Sequence, residues 1–334
     1  MTTTTTPARL NVHGQPRILS RFDARSTAAE VVEGMDLSGQ RALVTGGGGG
    51  IGAEIVRALA GAGAEVLIAD VALDAAQATA DAINSALPQP RVTARALDLG
   101  SLATTRAFAD ALVDEGQSWP GGLDILVNNA GVMAPPLSRT TDGHELQFGV
   151  NFLGHFVLTR GLLPLLRAGG GARVVSVSSI GHRRAGIQWD DPDYNTRPYD
   201  RWEAYGQSKT ACALLAVALN ARHSGAGVFA NAMNPGGSMT GLQRFMTEAE
   251  LRDMGWIDAD GNLPAHWRSP GQCAATSVWL ATAPGLAGIG GRYFEDCAEA
   301  APRDPAFPMK GLMPHAVDPV DAARLWELAE MMVG

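Results

Sequence analysis

From Arg41 onward, short runs of β-branched and aliphatic residues alternate with longer stretches rich in Ala and Leu. The strand candidates are Arg41–Thr45, Glu65–Asp70, Arg91–Asp98, Asp124–Asn128, Arg173–Ser178, Val228–Met233 and Arg292–Glu295. They are nearly continuous apolar runs rather than alternating ones, the pattern of strands covered by helices on both faces. Helix-length segments lie between them, at Gly52–Ala62, Leu102–Glu115, Glu145–Leu166 and Ala204–His223 among others. Strand–helix alternation of this kind predicts an α/β fold: one domain with a doubly wound parallel sheet of about seven strands.

Residues 1–36 read as an N-terminal arm with a short helix. Met1 to about Asp23 shows no periodicity and predicts a flexible or surface-lying segment. Thr27-Ala28-Ala29-Glu30 then has the spacing of a capping box, with Gly34 placed to stop the helix. Residues 37–300 form the expected catalytic domain, and 301–334 a C-terminal extension ending in a helix. Two long irregular stretches, about 181–204 and 241–269, are rich in Trp, Pro and Asp. Loops of that length are more often lids or binding loops than filler.

The net charge of −8, with no run of Lys or Arg, argues against an unaided nucleic-acid binder. The apolar stretch Phe152–Leu166 is broken by His155, Arg160 and Pro164, and Ala211–Leu219 is too short to span a bilayer. The opening MTTTTTPARL has no apolar core of signal-peptide type. No membrane anchor and a cytoplasmic location are therefore expected. Cys212, Cys273 and Cys297 are odd in number and far apart, as free thiols in a reducing compartment would be. No Cys-x2-Cys pair exists, and His144, His155, His182 and His223 lack a ligand spacing, so no metal is expected. Hydrolase chemistry lacks its Gly-x-Ser-x-Gly elbow.

Candidate chemistry begins at Ala42-Leu43-Val44-Thr45-Gly46-Gly47-Gly48-Gly49-Gly50-Ile51-Gly52, which ends one strand and opens a helix. Glycines there allow a tight turn and a close backbone approach to a pyrophosphate at the helix N-terminus. Asp70 ends the next strand, where a carboxylate can accept both ribose hydroxyls of an adenosine. A 2′-phosphate would meet it at roughly 4 Å, a repulsion of about 4 kcal/mol at an effective dielectric near 20. The next residue is Val71 and the turn carries no Arg or Lys. The pattern predicts a Rossmann-type dinucleotide site preferring NAD over NADP.

Further motifs stand in one order: Thr45-Gly46-x3-Gly50-Ile51-Gly52, Asp98-Leu99, Asn128-Asn129-Ala130-Gly131, Asn151, Ser178-Ser179, Tyr205-x3-Lys209 and Pro235-Gly236-x3-Thr240. Together, from about Leu37 to Phe294, they resemble the short-chain dehydrogenase/reductase family. Leu146–Asn151 and Gly206–Ala211 look most like its retinol-dehydrogenase-like branch. The resemblance implies that Asp98 meets the adenine amino group and that Asn129-Ala130-Gly131 passes the adenine ribose. It implies that Pro235, Gly236 and Thr240 line the nicotinamide side. It also implies a catalytic set of Asn151, Ser179, Tyr205 and Lys209. Ser179 would orient the substrate oxygen, with Ser178 as the competing assignment. Lys209 would hold the nicotinamide ribose, and Asn151 would fix a water linking Lys209 to solvent.

Tyr205 and Lys209 are four apart at the start of a helical segment, so they share a face. A tyrosine is a poor base at neutral pH. An ammonium about 5 Å from a phenol favours the phenolate by roughly 3 kcal/mol at a dielectric near 20. That is the chemistry an alcohol needs when its hydride leaves for a nicotinamide. Ser179 and Tyr205 are 26 apart in sequence, longer than the family's usual spacing. Trp189, Tyr194, Tyr199 and Trp202 between them suggest a loop over the substrate, and Met239, Leu242, Phe245, Met246 and Trp256 form an apolar lid or ordinary packing. The expected substrate is a small hydrophobic alcohol or ketone. The alternatives are an NAD-sensing regulatory protein without turnover and an NADPH-dependent C=C or carbonyl reductase. The apolar run Cys212–Leu219 predicts a homodimer or homotetramer contact, or cover by the chain's own ends.

Overall fold

The computed structural model of the chain describes residues 10–116, 122–307 and 309–334. Its strands are β1 (Arg41–Thr45), β2 (Glu65–Asp70), β3 (Val92–Ala96), β4 (Ile125–Asn128), β5 (Ala172–Val177), β6 (Val228–Asn234), β7 (Tyr293–Glu295) and β8 (Ala298–Glu299). The helices are α1 (Ala28–Val31), α2 (Gly50–Gly61), α3 (Leu73–Asn84), α4 (Leu102–Gly116), α5 (Leu146–Phe148), α6 (His155–Gly161), α7 (Leu163–Ala168), α8 (Arg201–His223), α9 (Glu248–Asp253), α10 (Pro270–Thr282) and α11 (Pro319–Val333).

The sheet runs β3-β2-β1-β4-β5-β6-β7-β8, parallel up to β7. The apolar strand runs follow from this layering. On β1, Leu43 packs into the layer of α4, α6, α8 and α11, while Ala42 and Val44 pack under α1, α2, α3 and α10. The winding reverses between β1 and β4, and the loops at the strand carboxyl ends part there into a crevice.

The sheet has eight strands where the pattern predicted about seven. β8 is two residues long and pairs antiparallel with β7 across Asp296-Cys297, both at φ 54°. Such a turn is usually announced by Asn-Gly or Asp-Gly, and here nothing announces it. The helix expected over Glu145–Leu166 is also broken. Residues Gly149–Gly154 widen into a π-turn between α5 and α6, and Pro164, without an N–H, starts α7 as a separate helix. Phe148, Phe152 and Phe156 keep one buried row through these breaks.

Both chain extensions are tied down. Thr27 and Glu30 form the predicted capping box on α1. The first nine residues of the expected arm lie outside the described residues. From Leu10 the arm runs along the β7–β8 edge, so there it is surface-lying and anchored. The buried Glu299 carboxylate accepts from Asn11 Nδ2 (2.7 Å) and Ile18 N–H (3.0 Å) and pairs with Arg292, while Arg17 Nε donates to the Glu299 carbonyl. At the other end, α11 lies on α8, and Trp326 meets Phe156 edge-on at 4.9 Å. The apolar run on α8 is therefore covered by the chain's own end. No helix among the described residues is long and apolar enough to cross a membrane.

Candidate active site

Thr45, the last residue of β1, organises the crevice from below. Its hydroxyl accepts from Asn129 N–H (2.9 Å) and Ala130 N–H (3.0 Å), joining the ends of β1 and β4. Asn129 Nδ2 returns bonds to the carbonyls of Thr45 and Gly46. The glycines are needed for contact as much as for conformation. A Cβ on Gly46, at φ 67°, would stand 2.8 Å from Ala130 Cα, and one on Gly52 would stand 2.1 Å from the Gly46 carbonyl oxygen. The turn folds tightly onto Asn129-Ala130-Gly131 and leaves its upper side open. Asp70, ending β2, accepts from Gly48 N–H (3.0 Å) and Ala72 N–H (3.0 Å), so its carboxylate is locked at the rim of the turn. Asp98 accepts from Gly100 N–H (2.8 Å), and Leu99 packs beside it.

On the other side of the crevice, Ser178 and Ser179 separate cleanly. Ser178 is buried and donates to the Lys209 carbonyl (2.7 Å). Ser179 opens to the cavity, where its Oγ accepts from Gly181 N–H (3.0 Å). A Cβ on Gly181 would touch both the Tyr205 ring (2.8 Å) and Ser179 Oγ (3.4 Å), so the serine hydroxyl and the tyrosine flank the same small gap. Asp200 caps α8 by accepting from the N–H groups of Trp202 and Glu203, which starts the helix three residues earlier than predicted. Lys209, one turn after Tyr205, donates from Nζ to the Val177 carbonyl (3.0 Å) and sits 5.8 Å from the Tyr205 ring centre.

A single cavity of about 1830 Å³ takes in Gly46, Gly50, Ile51, Gly52, Asp70, Asp98, Leu99, Asn129, Ala130, Gly131, Ser179, Tyr205, Lys209, Pro235, Gly236 and Thr240. Asn151 lies behind its wall. Its amide accepts from Val132 N–H (2.8 Å) and donates to the Val132 carbonyl (3.0 Å) and to Ser208 Oγ (2.9 Å). It braces the segment after β4 against α8, next to Gly131 and Lys209.

Of the stretch 181–204, only Gly181, Arg183, Arg184 and Trp202 border the cavity. Residues 185–200 turn sideways, contrary to the expected substrate cover. Asp193 pairs with His144 and accepts from Glu145 N–H, Tyr199 donates to the Pro135 carbonyl, and Trp189 lies under Arg324 of α11. Those contacts tie the segment to His144, Glu145, Pro135 and α11 beside the site. The 241–269 stretch does border it, through Leu242, Trp256, Trp267 and Arg268 among others. Met133, Trp202, Leu242, Met246 and Trp256 gather around Tyr205 as an apolar wall.

Sequence reasoning missed Asn234, whose Oδ1 accepts from both Ile180 N–H and Gly236 N–H and so ties the loops after β5 and β6 together. It also missed the strap after β8, where Arg303, Met309, Lys310 and Met313 wall the cavity. No motif marks either.

Two buried histidines serve the scaffold. His155 donates from Nδ1 to the Asn151 carbonyl and accepts from Thr45 at Nε2. His182 donates from Nδ1 to the Ser179 carbonyl and accepts from Met313 N–H at Nε2. Burial pushes both rings down to about 4, against an ordinary 6.5. Below pH 6.5 the unfolded chain therefore takes up protons that the folded one refuses. Stability should fall by about 1.4 kcal/mol per pH unit for each ring until about pH 4. Calorimetry should show Tm declining steadily as pH drops from 6.5 toward 5, and a flat profile would refute the assignment. Among the described residues no group of three or more His, Cys, Asp or Glu is placed to hold a metal ion.

The fold and the crevice together define an oxidoreductase of the Rossmann type. The family model for short chain dehydrogenase matches residues 40–251, and the chain belongs to that family. It is 46% identical over 297 residues to a Streptomyces lividans protein named "Probable oxidoreductase", covering 88% of this chain and 97% of that one. It is 36% identical over 305 residues to retinol dehydrogenase 13 of Homo sapiens, covering 89% and 86%. Within the family it is retinol-dehydrogenase-like. The Pseudomonas aeruginosa RhlG/NADP active-site complex superposes with a TM-score of 0.58 at 30% identity, over 76% of this chain and 94% of that one.

Proposed function

We propose that the chain is an NAD-dependent dehydrogenase/reductase that interconverts a hydrophobic secondary alcohol and its ketone, or a primary alcohol and its aldehyde. The observation that carries this reading is the convergence of Ser179 Oγ, the Tyr205 ring and Lys209 Nζ on the cavity that also holds the glycine turn and Asp70. The close-packed turn with its open upper side fits a pyrophosphate, and the locked Asp70 carboxylate fits an unmodified ribose. A nicotinamide bound there accepts or supplies the hydride. Ser179 donates to the substrate oxygen and sets its position. Tyr205 takes the hydroxyl proton on oxidation and returns it on reduction. Lys209, beside the phenol ring, would hold the ribose of a bound nicotinamide nucleotide, while Asn151 positions Gly131 and α8. The apolar wall around Tyr205 supports a hydrophobic substrate. Three buried free thiols favour a reducing, cytoplasmic setting. A homodimer or homotetramer would use a face other than the α8 surface that α11 covers.

The test is nicotinamide absorbance with the purified protein, NAD+ and NADP+ in parallel, and a panel of hydrophobic alcohols. Turnover with NAD+ is expected. RhlG was captured with NADP, so the cofactor arm is a real discrimination. Gly48, Val71, Ala72 and Ala76 surround Asp70 and none is basic. Asp70→Asn should shrink the preference for NAD+ over NADP+, read as kcat/KM, by about 100-fold. An unchanged ratio, or a wild-type preference for NADP+, would overturn the role given to Asp70.

A further inference from the structure

The charges around the cavity run against the charge of the chain. Eight cationic side chains and four carboxylates line it, in a protein of net charge −8. Two of the carboxylates, Asp70 and Asp98, stand at the ends of β2 and β3, by the glycine turn. Asp296 is taken up by Arg268 (2.7 Å) and Lys310 (2.6 Å). Glu295 is buried and accepts from Gly311 N–H (2.8 Å), offsetting part of the charge of Arg183.

Arg184 and Arg303 have no ion-pair partner among the described residues, and both are exposed at the cavity wall. They act electrostatically on Arg183, which also lines the cavity. The Arg184 guanidinium lies 5.2 Å from the Trp202 ring centre, on the edge of the apolar wall beside Tyr205. This cationic group follows β5 and β8, whereas Asp70 ends β2, and two strands separate β2 from β5. That is three strand spacings, about 14 Å, so the arginines do not face the adenosine end. Arg184 and Arg303, like charges with no ion-pair carboxylate among the described residues, are best answered by an anion from solution.

We propose, on the basis of the oxidoreductase reading above, that the substrate is amphipathic: an apolar body carries the reacting carbon, and its far end bears a carboxylate or similar oxyanion received by Arg184 and Arg303. Trp202 and Trp256 hold the body, and the strap after β8 supplies one of the two cations. A purely apolar alcohol fills only half of this site.

The experiment uses ω-benzoyl alkanoates of graded chain length and their methyl esters as ketone substrates for the purified full chain with NADH. At low salt the best acid should exceed its ester in kcat/KM by roughly tenfold or more. In the Arg184→Gln/Arg303→Gln double variant that ratio should collapse to within about twofold, with the Kd for NADH unchanged. The Arg→Lys double variant should keep part of the advantage. An acid-to-ester ratio near or below one in the wild type would overturn the proposal, as would a double variant that weakens acid and ester alike. If neither ketone is reduced, tryptophan fluorescence of the NAD+ complex titrated with each decides it. Tighter binding of the acid by tenfold sustains the proposal, and equal binding ends it. The oxidoreductase reading is judged separately, by whether any member of the series is reduced at all.

Discussion

Tyr205→Phe is expected to lower kcat by roughly 100- to 10,000-fold, the range for removing a positioned acid/base. The substitution deletes one oxygen and leaves the ring packed on Gly181 and inside the Met133–Trp202 wall. Fold and cofactor pocket should therefore persist, with the cofactor Kd moving by less than about tenfold. Single-turnover kinetics separate these outcomes, because hydride transfer should become the slow step even when cofactor and substrate are saturating. Ser179→Ala should act in the same direction with a smaller loss, since the role proposed for Ser179 is to orient the substrate oxygen and not to take its proton. A Tyr205→Phe enzyme whose kcat stays within threefold of wild type would remove the proposed chemistry and leave the family assignment standing.

Trp326→Ala is expected to cost about 3–5 kcal/mol of stability. The indole is almost fully buried, meets Phe156 edge-on and has Arg222 over its face at 4.8 Å. It joins α11 to both α6 and α8, so its loss leaves a cavity that three helices must collapse around. Urea denaturation should show a lower midpoint with an unchanged slope. Uncovering the apolar run on α8 should also raise self-association, visible by size-exclusion chromatography. A change below about 1 kcal/mol would mean that α11 rests on α8 without holding it.

What the chain made legible depended on how local the cause was. β1 and β2 were read to the residue because their central positions, Ala42–Val44 and Val66–Ala69, are buried on both faces and apolar, while polar residues mark their ends. β3 is shorter than predicted: Leu97 N–H still bonds the Asp70 carbonyl, but at Asp98 the chain turns and its carboxylate accepts from Gly100 N–H. The motif residues proposed for cofactor and catalysis could be placed together because each motif encodes a close approach: Gly52 under the Gly46 carbonyl, or Tyr205 one helical turn from Lys209. Asn151 kept its place but behind the wall, which no spacing could tell from a residue facing the cavity. The strap cations and Asn234 were invisible for a different reason. Their positions follow from how chain segments far apart in sequence are tied together, as when Gly311 bonds Glu295.

The Glu299 hub carries a consequence for the timing of synthesis. Asn11 and Ile18 find their partner 288 and 281 residues further along. At about 5–20 residues per second on a ribosome, the arm waits roughly 15–60 s before the carboxylate it binds exists. The sheet can form strand by strand during that interval, but its last edge is closed by a segment made long before it. An arm deletion should therefore leave early assembly untouched and strand a buried, underbonded carboxylate in the finished protein.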